Sequence, residues 1–204
     1  MKTVLLVDDS QELVFLYSRM LSMLGYVPMA AQGGKECQER LDEKVPDAIL
    51  LDVMMEPVDG WETLRLIRKR ADSLMTPVIM LTARSPQPND ILYCGDFLDG
   101  YIMKPVTKSN LEQELNALWD RYSLIRDNMQ KLRSKGISPE DTLDYLRAIR
   151  ACISLTNVMV ALNPLWRSGF EGGEQDGTVN EEIIRIGTRL QEKKEKIRAY
   201  HALL

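Results

Sequence analysis

Val4-Leu5-Leu6-Val7-Asp8-Asp9-Ser10 is the stretch that decides the fold. Four apolar residues in a row, followed at once by two carboxylates and a serine, describe a strand buried on both faces that ends in a polar crevice. Four more runs of the same kind follow: Val27 to Ala31, Ala48 to Leu51, Pro77 to Leu81 and Tyr101 to Met103. Amphipathic segments separate them near Gln11 to Leu24, Gly34 to Lys44 and Trp61 to Ala71. Strands alternating with helical crossovers predict an α/β fold, a doubly wound five-stranded parallel sheet whose ligand crevice lies at the carboxyl ends of the strands. The crossover before the last strand is poorer, since Pro86 and Pro88 leave only a short segment before Gly95, and it predicts a short or mobile fourth helix.

Beyond Val106 the pattern becomes purely helical. Leu111, Leu115, Leu118, Tyr122, Ile125, Met129 and Leu132 alternate steps of four and three, a heptad seam along one helix from about Asn110 to Ser134. Gly136 stops it, and Ser138-Pro139-Glu140-Asp141 starts a second helix with an N-cap serine and a first-turn proline. That helix is expected to end at Asn163, before Pro164, and to be central because it is apolar nearly all round from Cys152 to Leu162. A glycine-rich loop from Ser168 to Gly177 leads to a last helix near Thr178, seamed by Ile183, Ile186, Leu190, Ile197, Tyr200 and Leu204 and interrupted by Lys193. The expected division is a first domain over residues 1–120 and an all-α extension over 121–204, continuous with the first domain's last helix.

Composition is that of an ordinary globular chain: 204 residues, 45% apolar and 27% charged, with a net charge of −4. The charge is uneven. Residues 1–106 hold 11 basic and 16 acidic side chains, net −5, and residues 107–204 hold 15 and 14, net +1. No global basic field exists to attract nucleic acid or an acidic membrane. Cys37, Cys94 and Cys152 are odd in number and far apart, so neither a disulfide framework nor a zinc site is indicated. The apolar run at the start is far too short for a signal peptide or a membrane span, and a cytoplasmic location is expected.

The strand ends carry residues that a core would not choose. Asp8 and Asp9 follow the first strand, Asp52 ends the third, Thr82 the fourth and Lys104 the fifth. Singly, these are helix caps, a turn residue, a strand threonine and a solvated lysine. Together, three carboxylates converging on one crevice repel one another and call for a cation, and hard oxygen ligands with room for water suit Mg²⁺. A magnesium ion beside a carboxylate bridges to an incoming phosphoryl group. Asp52 is then a candidate nucleophile forming an acyl phosphate, with the Lys104 ammonium and the Thr82 hydroxyl as partners for the phosphoryl oxygens.

The set Val-Leu-Leu-Val-Asp8-Asp9-Ser10, Leu-Leu-Asp52-Val-Met-Met-Glu-Pro-Val-Asp59-Gly60, Leu-Thr82-Ala83 and Tyr101-Ile-Met-Lys104-Pro105 resembles the receiver domain of two-component response regulators, over about the first 120 residues. The resemblance implies a flavodoxin-like strand order of 2-1-3-4-5 and a sensor histidine kinase as phosphoryl donor. It makes Asp52 the phosphoacceptor, Asp9 a direct Mg²⁺ ligand and Asp8 one acting largely through water. The main-chain carbonyl of Met54 completes the protein's ligands. It assigns Thr82, Ala83 and Lys104 to phosphoryl binding and a switch role to Thr82 and to Tyr101, whose ring turns inward. Met54 and Arg84 sit where phosphoryl lifetime is tuned, and Pro105 follows a cis bond. No enzymatic activity is implied beyond the receiver's own phosphorylation and dephosphorylation. Two departures stand out: Glu56 occupies a position where that family often has proline, with Pro57 one place later, and the segment Pro86 to Asp96 is irregular.

For the helices of residues 107–204, the sequence favours a dimerisation or protein-interaction bundle over an atypical nucleic-acid-binding output, because the helices are long and nearly neutral. Trp119 and Trp166 read as core or interface anchors. The loop Phe170 to Glu174 reads as a connector, and His201, the single histidine, as a solvated terminal residue rather than a phosphotransfer site.

Overall fold

A computed structural model describes the backbone of residues 1–83, 97–169 and 177–204, and the side chains of these except at 157–169 and 177–183. The short helix expected after Pro86, the Phe170 to Glu174 loop, Arg84 and Cys94 lie outside the described residues.

Five strands, β1 (Thr3–Val7), β2 (Val27–Ala31), β3 (Ala48–Asp52), β4 (Val78–Thr82) and β5 (Gly100–Met103), form one sheet in the order β2-β1-β3-β4-β5. Every pairing is parallel, and the register sets Val7 beside Ala31 and Leu51, Asp52 beside Leu81, and Thr82 beside Met103. The carboxyl ends of all five strands therefore share one edge. Every residue of β1, β3 and β4 is buried, as their unbroken apolar runs require. The two edge strands are the exceptions: in β2 Val27 is exposed and the next three residues are half-buried, and in β5 Tyr101 is half-buried and Met103 exposed.

Three helices link the strands: α1 (Gln11–Met23), α2 (Gly34–Glu43) and α3 (Gly60–Lys69). Two are capped by residues that follow strands. The Ser10 hydroxyl accepts from the Leu13 N–H at 3.4 Å, and the Asp59 carboxylate accepts from the Glu62 N–H at 2.8 Å. Leu21, Leu41, Leu64 and Ile67 bury the inward faces of these helices.

Three longer helices follow: α4 (Lys108–Ser134), α5 (Pro139–Gly169) and α6 (Gly177–His201). The seam of α4 is buried at all seven positions, from Leu111 to Leu132, with no residue more than 5% exposed. A buried leucine contributes roughly 1.5–3 kcal/mol, so the stripe outweighs any local weakness in helix propensity. Gly136, at φ +84°, ends α4 in a left-handed turn in which the Ile137 N–H reaches the Leu132 carbonyl at 3.1 Å and the Gly136 N–H the Arg133 carbonyl at 3.0 Å. Ser138 then caps α5, accepting from the Asp141 N–H at 3.0 Å. α5 does not stop at Asn163: it continues through Pro164 to Gly169. A proline deletes one helical hydrogen bond and strains one turn, and in a helix of 31 residues that local loss does not end the element. No helix among the described residues is long and apolar enough to cross a membrane.

The chain forms two compact units. Among the described residues, the first holds 1–83 and 98–118, and the second holds Phe97 and the residues after Leu118. In the second, polar contacts join buried aromatics across helices: Arg150 donates to the Tyr122 hydroxyl at 2.9 and 3.0 Å, and Asn128 Nδ2 donates to the Tyr145 hydroxyl at 2.9 Å. The Tyr145 hydroxyl also lies 3.0 Å from His201 Nε2. His201 is exposed as expected but is tied to the core through this bond.

In the first unit, at the amino ends of β4 and β5, the Arg68 guanidinium donates to Asp99 Oδ2 at 2.8 Å and to the Thr76 carbonyl at 2.7 Å, and Asp99 Oδ2 also accepts from the Val78 N–H at 2.8 Å. The two side chains are 4% and 0% exposed. Arg68→Met leaves the Asp99 charge buried without its partner, and a loss of about 3–5 kcal/mol in denaturant unfolding is expected; a loss below 1 kcal/mol would show that the carboxylate is satisfied without the arginine.

Candidate functional site

The shared edge of the sheet collects the polar residues that follow the strands. Lys104, one residue past β5, places its ammonium 2.9 Å from Asp8 Oδ2 and 3.1 Å from Asp52 Oδ2. Asp8, one residue past β1, is fully buried, and its other oxygen accepts the Ser10 N–H at 2.9 Å. Asp52, the last residue of β3, is 4% exposed. Asp9 is exposed, and its Oδ2 accepts the Glu56 N–H at 3.2 Å. One carboxylate oxygen from each of Asp8, Asp9 and Asp52 lies within 4.8 Å of the others.

The electrostatics follow from one cation facing two buried carboxylates, with a third beside them. Burial pushes the Asp52 carboxyl above its ordinary value, and the hydrogen bond and charge of Lys104 only partly offset this, while the Asp8 charge adds to it. For Lys104 burial acts downward, but the hydrogen bonds and charges of Asp8 and Asp52 outweigh it and hold the ammonium above the ordinary lysine value. Asp52 Oδ1 is buried and has no hydrogen-bond partner. An orphaned carboxylate oxygen beside two further aspartates fits a hard divalent cation with oxygen ligands.

Thr82 ends β4, is buried, and its carbonyl accepts the Lys104 N–H at 2.7 Å. Ala83 and Met54 are exposed, Met54 at 60%. The Lys104–Pro105 bond is cis, and so is Glu56–Pro57, which places the second cis bond in the loop where the sequence departs from the receiver pattern. Tyr101 lies on β5 with its hydroxyl buried and its ring edge-on to Trp61, centroids 6.3 Å apart. The structure thus brings Asp8, Asp9, Asp52 and Lys104 together and sets Thr82 on the adjoining strand end. Tyr101 stands on the last strand against α3 rather than among the carboxylates.

The spacing of polar residues alone does not single out Gly60. A Cβ at that position would collide with the Asp52 carbonyl oxygen and crowd Val53, so the α3 amino terminus rests directly on the backbone of the nucleophile candidate. Asp59-Gly60 stands within the receiver-like pattern, but its residues by themselves read as a cap followed by a small residue. Beside it, Asp9, Met54, Glu56, Asp59 and Trp61 line a cavity of about 390 Å³.

The sequence model of the response regulator receiver domain matches residues 4–116. The chain belongs to this family. The CpxR transcriptional regulatory protein of Escherichia coli K12 is 36% identical over 133 residues, which is 63% of this chain and 56% of that protein. The alkaline phosphatase synthesis transcriptional regulatory protein PhoP of Bacillus subtilis is 32% identical over 123 residues, 60% of this chain and 50% of that one. The chain spans about half the length of the curated relatives it matches. Among solved structures, the N-terminal domain of a response regulator receiver protein from Methanoculleus marisnigri matches with 41% identity and a TM-score of 0.50, covering 57% of this chain and 95% of its own. The Vibrio cholerae chemotaxis protein CheY4 matches with 28% identity and a TM-score of 0.54, covering 58% and 98%. The receiver accounts for the sheet and the acidic cluster, and residues 117–204 lie beyond the family model.

Two outcomes test this arrangement. In metal-free buffer at neutral pH, Asp52→Asn raises Tm, because it removes a buried, under-compensated charge. The gain fades as pH falls through the raised value of Asp52, where the native side chain sheds the charge itself. Gly60→Ala displaces the Asp52 backbone and lowers Mg²⁺ affinity at least tenfold by titration calorimetry; unchanged affinity would mean that α3 shifts without moving Asp52.

Proposed function

We propose that this chain is a two-component response regulator that accepts a phosphoryl group on Asp52 from a histidine kinase and signals through its C-terminal helices. The observation that carries the first half is the convergence of Asp8, Asp9 and Asp52 on one point, with the Lys104 ammonium 3.1 Å from Asp52 Oδ2. One Asp52 carboxylate oxygen attacks the phosphorus of a phosphohistidine protonated on its other ring nitrogen as the P–N bond breaks, giving an aspartyl phosphate and a neutral imidazole. Asp8, Asp9, Asp52 and the Met54 carbonyl would hold Mg²⁺. When bound, the ion supplies positive charge against the phosphoryl oxygens. Lys104 donates to a phosphoryl oxygen and, still facing Asp8, neutralises part of the added charge. The Thr82 hydroxyl and the Ala83 N–H take further oxygens, and Arg84 and Met54 tune how long the phosphoryl group lasts.

The added charge biases a two-state element in which Thr82 and Tyr101 move together. The output follows through residues 107–204 by self-association or by binding a protein partner. The near-neutral charge of residues 107–204 supports this; the α4 seam is buried within the chain itself and gives these helices a core rather than an interface. A second reading, a nucleic-acid-binding output, is favoured by the names of the relatives, which are transcriptional regulators. Against it stand helices of 27, 31 and 25 residues, where a helix-turn-helix uses short ones.

Incubation with acetyl phosphate and Mg²⁺ adds one phosphoryl group by intact mass, and Asp52→Asn takes up none; equal uptake by that variant would move the acceptor elsewhere. With beryllofluoride in place of phosphate, light scattering of the full chain shows a rise in mass for self-association. Salt-sensitive binding to duplex DNA instead would select the second reading.

A further inference from the structure

Trp61 is the first side chain after the glycine that presses on the Asp52 carbonyl, so its place relative to the nucleophile candidate is fixed by backbone contact. It is 8% exposed. One part of the residue lines the cavity shared with Asp9, Met54, Glu56 and Asp59. Its ring meets Tyr101 at an interplanar angle of 63° with centroids 6.3 Å apart, the edge-on geometry that aromatic quadrupoles prefer. The indole Nε1 is buried and makes no hydrogen bond. Whatever Trp61 contributes here therefore comes from its ring surface and not from its polar atom. The Tyr101 hydroxyl is buried in the same structure.

We propose that Trp61 is a positioning residue that holds the Tyr101 ring in the orientation that buries its hydroxyl, the orientation that the phosphoryl-bound switch also uses. This rests on the receiver reading above, in which the inward orientation of Tyr101 accompanies phosphorylation. An edge-on pair biases such an equilibrium by roughly two- to tenfold. Removing the ring releases Tyr101, and the phosphoryl-bound state must then restore the buried orientation at its own expense, which weakens binding of a phosphoryl mimic. Because Nε1 is unbonded, a smaller aromatic ring suffices.

The test uses the full chain labelled with 3-fluorotyrosine, with the Tyr101 resonance assigned by Tyr101→Phe. Without phosphate, the ¹⁹F resonance of Tyr101 sits at a buried position in the native chain and in Trp61→Phe, and moves toward the solvent-exposed value in Trp61→Leu. Beryllofluoride affinity in Mg²⁺ falls about three- to tenfold in Trp61→Leu, is retained in Trp61→Phe, and falls no further when Tyr101→Leu is added, since the two side chains act as one unit. Trp61→Met replaces the leucine variant if that variant loses its circular dichroism spectrum. An unmoved Tyr101 resonance in the leucine or methionine variant, or independent multiplicative losses in the double variant, overturns the proposal. Failure of the native chain to bind beryllofluoride, with the resonance shift still seen, overturns the receiver chemistry and leaves the aromatic contact standing.

Discussion

One ammonium group facing two buried carboxylates is the interaction on which the rest depends. Lys104 reaches Asp8 and Asp52 from the far side of the sheet because β1, β3 and β5 run parallel and end together. At an effective dielectric of about 20, unit charges 4 Å apart interact by about 4 kcal/mol, so losing the lysine would leave two adjacent carboxylates repelling by that order. Even with it, the cluster of Asp8, Asp9 and Asp52 keeps two negative charges uncompensated. The site is therefore poised to take up positive charge, a deficit built into the fold.

Most of that was legible in the sequence because it is periodic or local. Unbroken apolar runs marked β1, β3 and β4 as doubly buried, and parallel topology then told where Asp8, Asp52, Thr82 and Lys104 must meet. The α4 seam was legible for the same reason, since a 3.5-residue repeat needs no knowledge of partners. What was hidden depends on contacts between distant residues. Arg68 and Asp99 are 31 positions apart and each looks like a surface charge in isolation. Trp61 reads as one apolar position in an amphipathic helix, and only the packing of α3 against β5 sets it on Tyr101. The end of α5 was misplaced because Pro164 is a local stop signal, and the length of that helix overrides it.

The second unit is held by a different balance. Its seam is apolar, yet Tyr122 and Tyr145 are fully buried and each carries a hydroxyl that must find a partner. Arg150, Asn128 and His201 provide those partners from other helices. Such bonds discriminate among helix registers more than they add stability, because a slip of one turn leaves a buried hydroxyl unpaired. Helices joined this way have one defined packing.

Gly60 has a genetic consequence. Every missense change of a glycine codon introduces a Cβ, and at this position any Cβ meets the carbonyl of Asp52. The obstruction is to the main chain, so no choice of rotamer relieves it and no neighbouring side chain can be trimmed to make room. A lineage that alters the residue must move the start of α3 in the same step or lose the backbone geometry at Asp52. Surface positions of the receiver are open to gradual drift, whereas this one changes only by a jump.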